Sequence, residues 1–142
     1  MIRAVIDTNI VVSAFFWGKQ PRQVLDAARN KQFHMITSDV LIEELHDVIS
    51  RPKFASRLAQ IGETPESLLE SSYHTLVEVV EPATIPPVIL DDPNDDALIA
   101  CALGGTADYI VSGDKHLLNQ AHYQHIKIVE IKPFLDIIQS KA

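Results

Sequence analysis

Apolar positions along this chain follow two alternating patterns. Short runs rich in β-branched residues occur at 3–7, 33–37, 109–112 and 127–131, and such runs are typical of buried strands. Between them, apolar residues recur at helical spacing, which predicts helices at about 21–30, 40–50, 53–61 and 65–80, one ending at Gly104-Gly105, a short one from Lys115 and a last one after Pro133. Strands separated by helices imply a parallel sheet that is covered on both faces.

The composition is that of one domain. The chain has 142 residues, of which 46% are hydrophobic and 22% are charged, a balance that excludes collagen-like and disordered classes. We therefore expect residues 1–142 to form a single domain. Charged residues interrupt every apolar run before the ~18 residues of a membrane span, so we expect no membrane partner. The single cysteine, Cys101, allows no intramolecular disulfide or multi-thiolate zinc site and favours a cytoplasmic location.

Charge is distributed unevenly along the chain. The formal net charge is −7, and residues 58–114 contain eleven acidic residues and no Lys or Arg. Such a chain does not bind polyanions through its overall charge. A nucleic-acid partner would require local basic positions, or bound cations that reverse the sign of an acidic pocket.

Two carboxylates follow predicted strands. Asp7 ends the first run, and Asp114 comes two residues after the run at 109–112. Ligands of parallel α/β sheets bind at the carboxyl ends of the strands, so we expect both side chains at the same edge of the sheet. Each carboxylate could instead do no more than cap the helix that follows it.

Helical geometry separates two neighbouring acids in the predicted helix 40–50. Leu41, Leu45 and Ile49 share one apolar face. Glu44 falls at the edge of that face, whereas Glu43 points to solvent. A carboxylate at this edge is costly unless it is paired, hydrogen-bonded or bound to a cation. Pairing with a neighbouring basic side chain is the alternative to a functional role.

The densest acidic cluster precedes the buried helix and spans residues 91–96. Asp96 shares a helical face with Ile99 and Leu103, so we expect Asp96 to enter the interior and Asp95 to cap the helix. Four carboxylates that converge on one place repel each other unless divalent cations neutralise them. An all-oxygen ligand set without thiolates is typical of Mg²⁺ or Mn²⁺.

Four segments together resemble the signatures of PIN-domain nucleases. They are Asp7-Thr8-Asn9, the Glu44 helix from Ser38 to Leu45, the stretch from Asn94 to Ala102, and Tyr109 to Asp114. The resemblance extends from residue 2 to about 135 and is greatest to the VapC-type toxins of toxin–antitoxin pairs. Ser112 stands where many members have threonine, which keeps the hydroxyl.

This resemblance implies both a fold and a chemistry. The fold is a three-layer α/β structure with a parallel sheet of four or five strands in the order 3-2-1-4-5. The chemistry is that of an endoribonuclease that uses one or two Mg²⁺ or Mn²⁺ ions to hydrolyse single-stranded or loop RNA. The implied catalytic and metal-binding acids are Asp7, Glu44, Asp96 and Asp114, with Asn9, Ser112 and Asp95 as supporting residues. The implied partners are RNA, a cognate antitoxin and a second copy of the chain.

Other residues are candidates for binding partners. Those for the RNA backbone, each of which is also readily explained as an ordinary surface charge, are Lys19, Arg22, Arg51, Lys53, Arg57 and Lys115. Trp17 is a candidate for base stacking, for a partner interface or for anchoring the first helix. The predicted helices 53–61 and 65–80 carry apolar positions beyond those that one small core needs, which favours a homodimer: Leu58, Ile61, Leu68, Leu69, Leu76 and Val77.

Two other functions account for part of the pattern. A phosphoacceptor signalling domain also places acids at the ends of parallel strands, but it needs a lysine at the end of its last strand, and Lys127 stands at the start of this one. A non-catalytic interaction module would keep the PIN scaffold only as a binding surface. Loss of one of the four acids would favour that module, and all four are present.

Overall fold

Strands form where the short β-branched runs occur. The structure is a computed structural model that describes residues 1–87 and 93–140, so Asp91 and Asp92 of the acidic cluster lie outside the described residues. The strands are β1 (Arg3–Ile6), β2 (His34–Thr37), β3 (Val77–Val79), β4 (Tyr109–Val111), β5 (His122–Tyr123) and β6 (Ile126–Val129). The helices are α1 (Thr8–Phe16), α2 (Lys19–Arg29), α3 (Asp39–Ile49), α4 (Ala55–Gln60), α5 (Pro65–Ser72), α6 (Pro93–Gly104), α7 (Lys115–Gln120) and α8 (Ile131–Ser140), with a 3₁₀ turn at Pro52–Phe54.

The strands form one sheet with β1 at its centre. Their order is β3-β2-β1-β4-β6-β5, and all neighbours are parallel except β5, which is antiparallel to β6. The five parallel strands therefore have the predicted order 3-2-1-4-5, and the mixed α/β fold is confirmed. The short strand β5 is an addition to the prediction. Because the strands are parallel, their carboxyl ends meet at one edge of the sheet.

The sheet separates two apolar layers. Successive residues of a strand point to opposite faces, so Ala4 and Ile6 join one buried cluster while Val5 joins the other. The first cluster includes residues of α1, α2 and α8, and the second includes residues of α6 and α7. This arrangement is the expected three-layer structure. Within the described residues, no helix is both long and apolar enough to cross a membrane.

The predicted helix 65–80 is wrong in its second half. Helix α5 ends at Ser72, and residues 77–79 form β3, which pairs with β2. Val77 and Val79 are β-branched and favour a strand when a partner strand is available. The sequence predicts a helix after Asp7 without bounds, because the buried run of Ile10, Val11 and Val12 in α1 has no helical period. Helix α8 begins at Ile131 rather than after Pro133, since proline is tolerated in a first turn.

The apolar positions that favoured a homodimer mostly belong to the core of the chain. Leu58, Leu68 and Leu69 are buried in the first apolar cluster, and Leu76 and Val77 pack against it half-buried. Ile61 is the exception among the six, at 50% exposed. Five of the six positions therefore serve the core, and the homodimer remains a prediction without their support.

The segment that follows β3 runs back along α6 and holds this helix against the sheet. The Val80 N–H donates to the Thr37 carbonyl oxygen at 2.8 Å, and the Ala83 N–H donates to the Ala100 carbonyl oxygen at 3.0 Å. Gly104 permits this approach, because a Cβ there would lie 2.7 Å from the Ala83 nitrogen. The contact matters for the site because α6 carries Asp95 and Asp96.

Candidate active site

Asp7 lies at the centre of the carboxyl edge of the sheet. Its N–H continues the β1–β4 ladder by donating to the Val111 carbonyl oxygen at 2.9 Å, and its side chain is 7% exposed. Asp7 is the N-cap of α1, where its Oδ1 accepts a hydrogen bond from the Asn9 N–H at 3.3 Å. Asp7 can therefore cap the helix and also take part in a site, since its second oxygen, Oδ2, accepts a different hydrogen bond.

A serine hydroxyl links Asp7 to Asp114. The Ser112 Oγ donates to Asp7 Oδ2 at 2.6 Å and accepts from the Asp114 N–H at 3.0 Å. Ser112 is fully buried, and its position at the end of β4 is set by an N–H bond to the Val129 carbonyl oxygen at 3.0 Å. Asp114 in turn caps α7 by accepting from the His116 N–H at 2.7 Å. One hydroxyl thus links the carboxylate of Asp7 to the backbone of Asp114.

Helix α3 brings the third carboxylate. Ser38 caps this helix by accepting from the Leu41 N–H at 3.4 Å, and Leu41, Leu45 and Ile49 are buried. With that phase, Glu44 is half-buried and its Oε2 is shielded from solvent, whereas Glu43 is exposed. The orientations predicted for the two glutamates are therefore confirmed.

Helix α6 brings Asp95, and the predicted placement of Asp95 and Asp96 is wrong. Asp95 is 4% exposed with its Oδ2 shielded from solvent, while Asp96 is only half-buried. The helix begins at Pro93, a residue favoured in a first turn, so Asp95 is its third residue rather than its cap. Leu98, Ile99 and Ala102, which lie three, four and seven residues after Asp95, are all buried. That spacing places them on the face of Asp95.

Four acids from four separate elements line one small cavity, which we call the acidic pocket. These acids are Asp7, Glu44, Asp95 and Asp114. The pocket has a volume of about 160 Å³, and its lining residues are Asp7, Asn9, Glu44, Val48, Arg51, Asp95, Leu98 and Asp114. Arg51 is the one cation among these described lining residues. Val48 and Leu98 add apolar side chains to the lining, which strengthen electrostatic interactions nearby by lowering the local dielectric constant.

The donor set of the acidic pocket fits a hard divalent cation. Carboxylate oxygens are the preferred ligands of Mg²⁺ and Mn²⁺, and the four acids supply as many as eight. Among residues 1–87 and 93–140, no three acidic, histidine or cysteine side chains already form a ready-made ion site. The pocket therefore has suitable chemistry, and the carboxylates would have to turn towards a shared ion.

Two buried groups that do not line the acidic pocket, the Cys101 thiol and the Tyr73 hydroxyl, stay uncharged at neutral pH. Burial raises the pKa of the Cys101 thiol to about 12, and burial likewise raises the pKa of Tyr73 to about 12. The Tyr73 hydroxyl donates to Thr37 Oγ1 at 3.0 Å in the core. A protonated, buried thiol is a poor nucleophile, so Cys101 is not a candidate nucleophile.

Comparison with family models matches residues 3–116 to the PIN domain. The chain belongs to the PIN-domain family. Comparison with curated proteins found no match. The matched range includes every residue that lines the acidic pocket. PIN domains are generally nucleases and usually bind divalent metal ions, which agrees with the carboxylate-lined pocket at the sheet edge.

The other candidate residues of this PIN domain are distributed over several surfaces. Asn9 and Arg51 line the acidic pocket, whereas Lys19 and Lys115 are exposed. Arg22 lies 3.6 Å from Asp26 in an ion pair within α2. Lys53 and Arg57 contact aromatic rings near the end of α1. Asp95 is the site residue whose position sequence reasoning missed.

We expect Ser112→Ala to lower nuclease activity by about 10- to 100-fold, because the hydroxyl that orients Asp7 Oδ2 would be lost. Removal of this buried bond should also lower the free energy of unfolding by roughly 1–3 kcal/mol. Ser112→Thr keeps the hydroxyl and should restore most of the activity. Steady-state kinetics and thermal unfolding of the two variants check this. Equal activity of Ser112→Ala and wild type would show that the hydroxyl does not position Asp7.

Proposed function

We propose that this PIN domain is a divalent-cation-dependent endoribonuclease acting on single-stranded or loop RNA. The observation that carries the proposal is the convergence of Asp7, Glu44, Asp95 and Asp114 on one pocket. They come from the ends of two parallel strands and from two helices, so no single local structural role explains their meeting. Parallel α/β sheets bind ligands at this edge.

These four carboxylates would hold Mg²⁺ or Mn²⁺. A divalent ion bound there supplies Lewis-acid polarisation of the phosphate and activation of a water for hydrolysis. The chain itself positions the ligands: Ser112 fixes one oxygen of Asp7, and burial on α6 restricts Asp95. Glu44 projects from a helix held by its buried leucines, so it keeps its place at the pocket wall. Asp96, half-buried on the same helix, is left outside this ligand set.

Arg51 contributes the positive charge at the pocket. Its guanidinium is solvent-exposed and belongs to a residue that lines the pocket, so it can meet a phosphate as the substrate arrives. No protein nucleophile is required, because water attacks the phosphorus. The carboxylates then need only orient the reactants and balance charge, which four acids and one arginine can do.

The toxin role is a further part of the proposal. The acid-rich stretch 58–114 contains no Lys or Arg, so it attracts a basic segment more readily than RNA. We propose that a cognate antitoxin places an Arg or Lys against the four carboxylates and competes with metal or RNA, and that the chain forms a homodimer in the cytoplasm. Light scattering that shows a strict monomer at tens of micromolar would remove the dimer.

The two alternative functions have less support in the structure. Lys127, which is exposed, pairs in register with Tyr109 at the beginning of β4, so the last parallel strand has no lysine at its carboxyl end. A phosphoacceptor domain needs one there. A non-catalytic module has no requirement for buried carboxylates, whose desolvation costs free energy.

The experiment is cleavage of an end-labelled single-stranded RNA by purified protein. We expect internal cleavage in Mn²⁺ or Mg²⁺, none in EDTA, and recovery when excess Mn²⁺ is restored. Asp7→Asn prepared in parallel is the control for contaminating ribonuclease and should lose the activity. Cleavage that continues in EDTA, or equal cleavage by Asp7→Asn, would contradict the proposal.

A further inference from the structure

An aromatic surface is built at the far end of α1 from the acidic pocket. Trp17, which ends that helix, is 52% exposed. Phe16 stacks on the buried Phe54 with ring centroids 4.8 Å apart, and Trp17 meets Phe54 edge-on at 5.9 Å. The indole is therefore held by two aromatic neighbours while half of its surface faces solvent, an arrangement that a simple helix anchor would not need.

Two cations lie on these rings. The Arg57 guanidinium carbon is 4.7 Å from the centre of the Trp17 ring, and its Nη1 donates to the Phe16 carbonyl oxygen at 3.1 Å. Lys53 Nζ is 5.1 Å from the centre of the Phe54 ring. We call this set, Phe16, Trp17, Lys53, Phe54 and Arg57, the aromatic ridge. Among the described residues, neither cation forms an ion pair with a carboxylate, so both charges remain available to an anionic ligand.

Arg51 and helix α1 connect the ridge to the acidic pocket. Arg51 lines that pocket and precedes the 3₁₀ turn that carries Lys53 and Phe54. The Phe54 N–H donates to the Arg51 carbonyl oxygen at 3.0 Å, which closes the turn. Helix α1 connects the same two places, because Asp7 caps its start and Trp17 its end. The helical rise puts these residues about 15 Å apart, a length that a few nucleotides of extended strand span.

Charge favours a polyanion at this surface rather than elsewhere. The chain has a net charge of −7, and no Lys or Arg occurs from residue 58 to residue 114. A nucleic acid is repelled by that stretch and attracted to the region of Arg51, Lys53 and Arg57. Exposed aromatic rings beside backbone-binding cations are what single-stranded ligands require, because unpaired bases present faces for stacking.

We propose that the aromatic ridge binds single-stranded nucleic acid and leads it into the acidic pocket. A base stacks on the exposed part of Trp17 or on the Arg57 guanidinium, and phosphates contact Lys53 and Arg51. The inference rests on the proposed function in that the same strand is the substrate. It adds a binding subsite outside the acidic pocket and names the residues that would recognise an unpaired strand.

Trp17 is the one tryptophan in the chain, so its fluorescence reports directly on the ridge. The experiment titrates protein with a single-stranded uridine oligonucleotide in EDTA, where no metal-dependent cleavage occurs. We expect quenching that saturates with the oligonucleotide, and much weaker quenching by an RNA duplex of equal length. Absence of quenching by the single strand would overturn the proposal.

Variants measured by anisotropy of a labelled oligonucleotide extend the test. Trp17→Leu should weaken binding by about 10-fold or more, while Trp17→Phe keeps a stacking ring and should retain most affinity. Lys53→Gln should reduce the slope of log affinity against log salt concentration by about 1, the value expected for the loss of one phosphate contact. Lys127→Gln, an exposed lysine on β6, is the matched control and should bind as wild type does. Equal losses in Lys53→Gln and Lys127→Gln would contradict a local site.

The two proposals fail in different ways. If the nuclease proposal is wrong and the ridge is right, the oligonucleotide quenches Trp17 in EDTA but is not cut when Mn²⁺ is added. If the ridge is wrong and the nuclease proposal is right, Trp17→Leu cleaves RNA with unchanged KM and kcat. The Trp17→Phe variant controls for loss of folding, since it keeps an aromatic ring beside Phe54 that Trp17→Leu removes.

Discussion

Asp95→Asn is expected to lower the metal-dependent cleavage rate by about 100-fold or more, whereas Asp96→Asn should stay within a few-fold of wild type. Asp95 is 4% exposed and lines the acidic pocket beside Asp7 and Glu44. Asp96 is half-buried one position along α6, and it does not line that pocket. Asparagine keeps the size of the side chain and removes the charge, so the comparison isolates the carboxylate.

The measurement is the single-turnover cleavage rate of an RNA oligonucleotide at saturating Mn²⁺, with thermal unfolding of both variants as the check on folding. Metal-free Asp95→Asn should unfold at the same temperature as wild type or higher, because one of four mutually repelling carboxylates around the acidic pocket has been neutralised. The opposite ranking of the two variants would place Asp96 in the site and would refute the helical phase of α6 described here.

Glu44→Gln should likewise reduce cleavage by about 100-fold, while Glu43→Gln leaves it nearly unchanged. Glu44 lines the acidic pocket. Glu43 is exposed and lines a different groove with His46 and Glu66, whose side chains are hydrogen-bonded at 2.6 Å. The two substitutions are chemically identical and adjacent in sequence, so only the position of the side chain differs.

A rate against Mn²⁺ concentration distinguishes how Glu44 acts. If Glu44 helps to hold the ion, Glu44→Gln should require more Mn²⁺ for half-maximal rate, and added ion should recover part of the loss. A large loss in Glu43→Gln with normal unfolding would refute the assignment of the two glutamates to separate surfaces.

Much of the site follows from local rules that act within single elements. Asp7 and Asp114 come after short β-branched runs, and parallel pairing brings the ends of such runs together. Glu44 is separated from Glu43 by the phase of an amphipathic helix, in which polar and apolar faces differ clearly. In both cases the informative pattern lies within a dozen residues of the side chain concerned.

The position of Asp95 does not follow from such local rules. The residues that follow it, from Ala97 to Leu103, are apolar on every side, so periodicity indicates burial without indicating which face meets the sheet. The phase depends on where α6 starts and on its contact with the segment at Ala83. Strand β3 likewise depends on tertiary structure, because Val77 and Val79 become a strand only by pairing with β2.

The aromatic ridge is a product of tertiary structure. Trp17 and Arg57 are forty residues apart in sequence, and each is unremarkable in its local context. They meet because α1 ends where the 3₁₀ turn and α4 begin, so that Phe16 and Phe54 stack. Composition indicates that local basic positions are needed, and the fold determines which of them lie beside an exposed ring.

Mn²⁺ binding to the metal-free protein, followed by the loss of the free-ion electron paramagnetic resonance signal, is the most direct measurement of the central claim. Wild type and Asp96→Asn are expected to take up one or two ions each. Asp7→Asn and Asp95→Asn should lose most of that uptake while remaining folded. Equal uptake by Asp7→Asn and wild type, or none by any of the four proteins, would contradict a divalent-cation site formed by the four carboxylates.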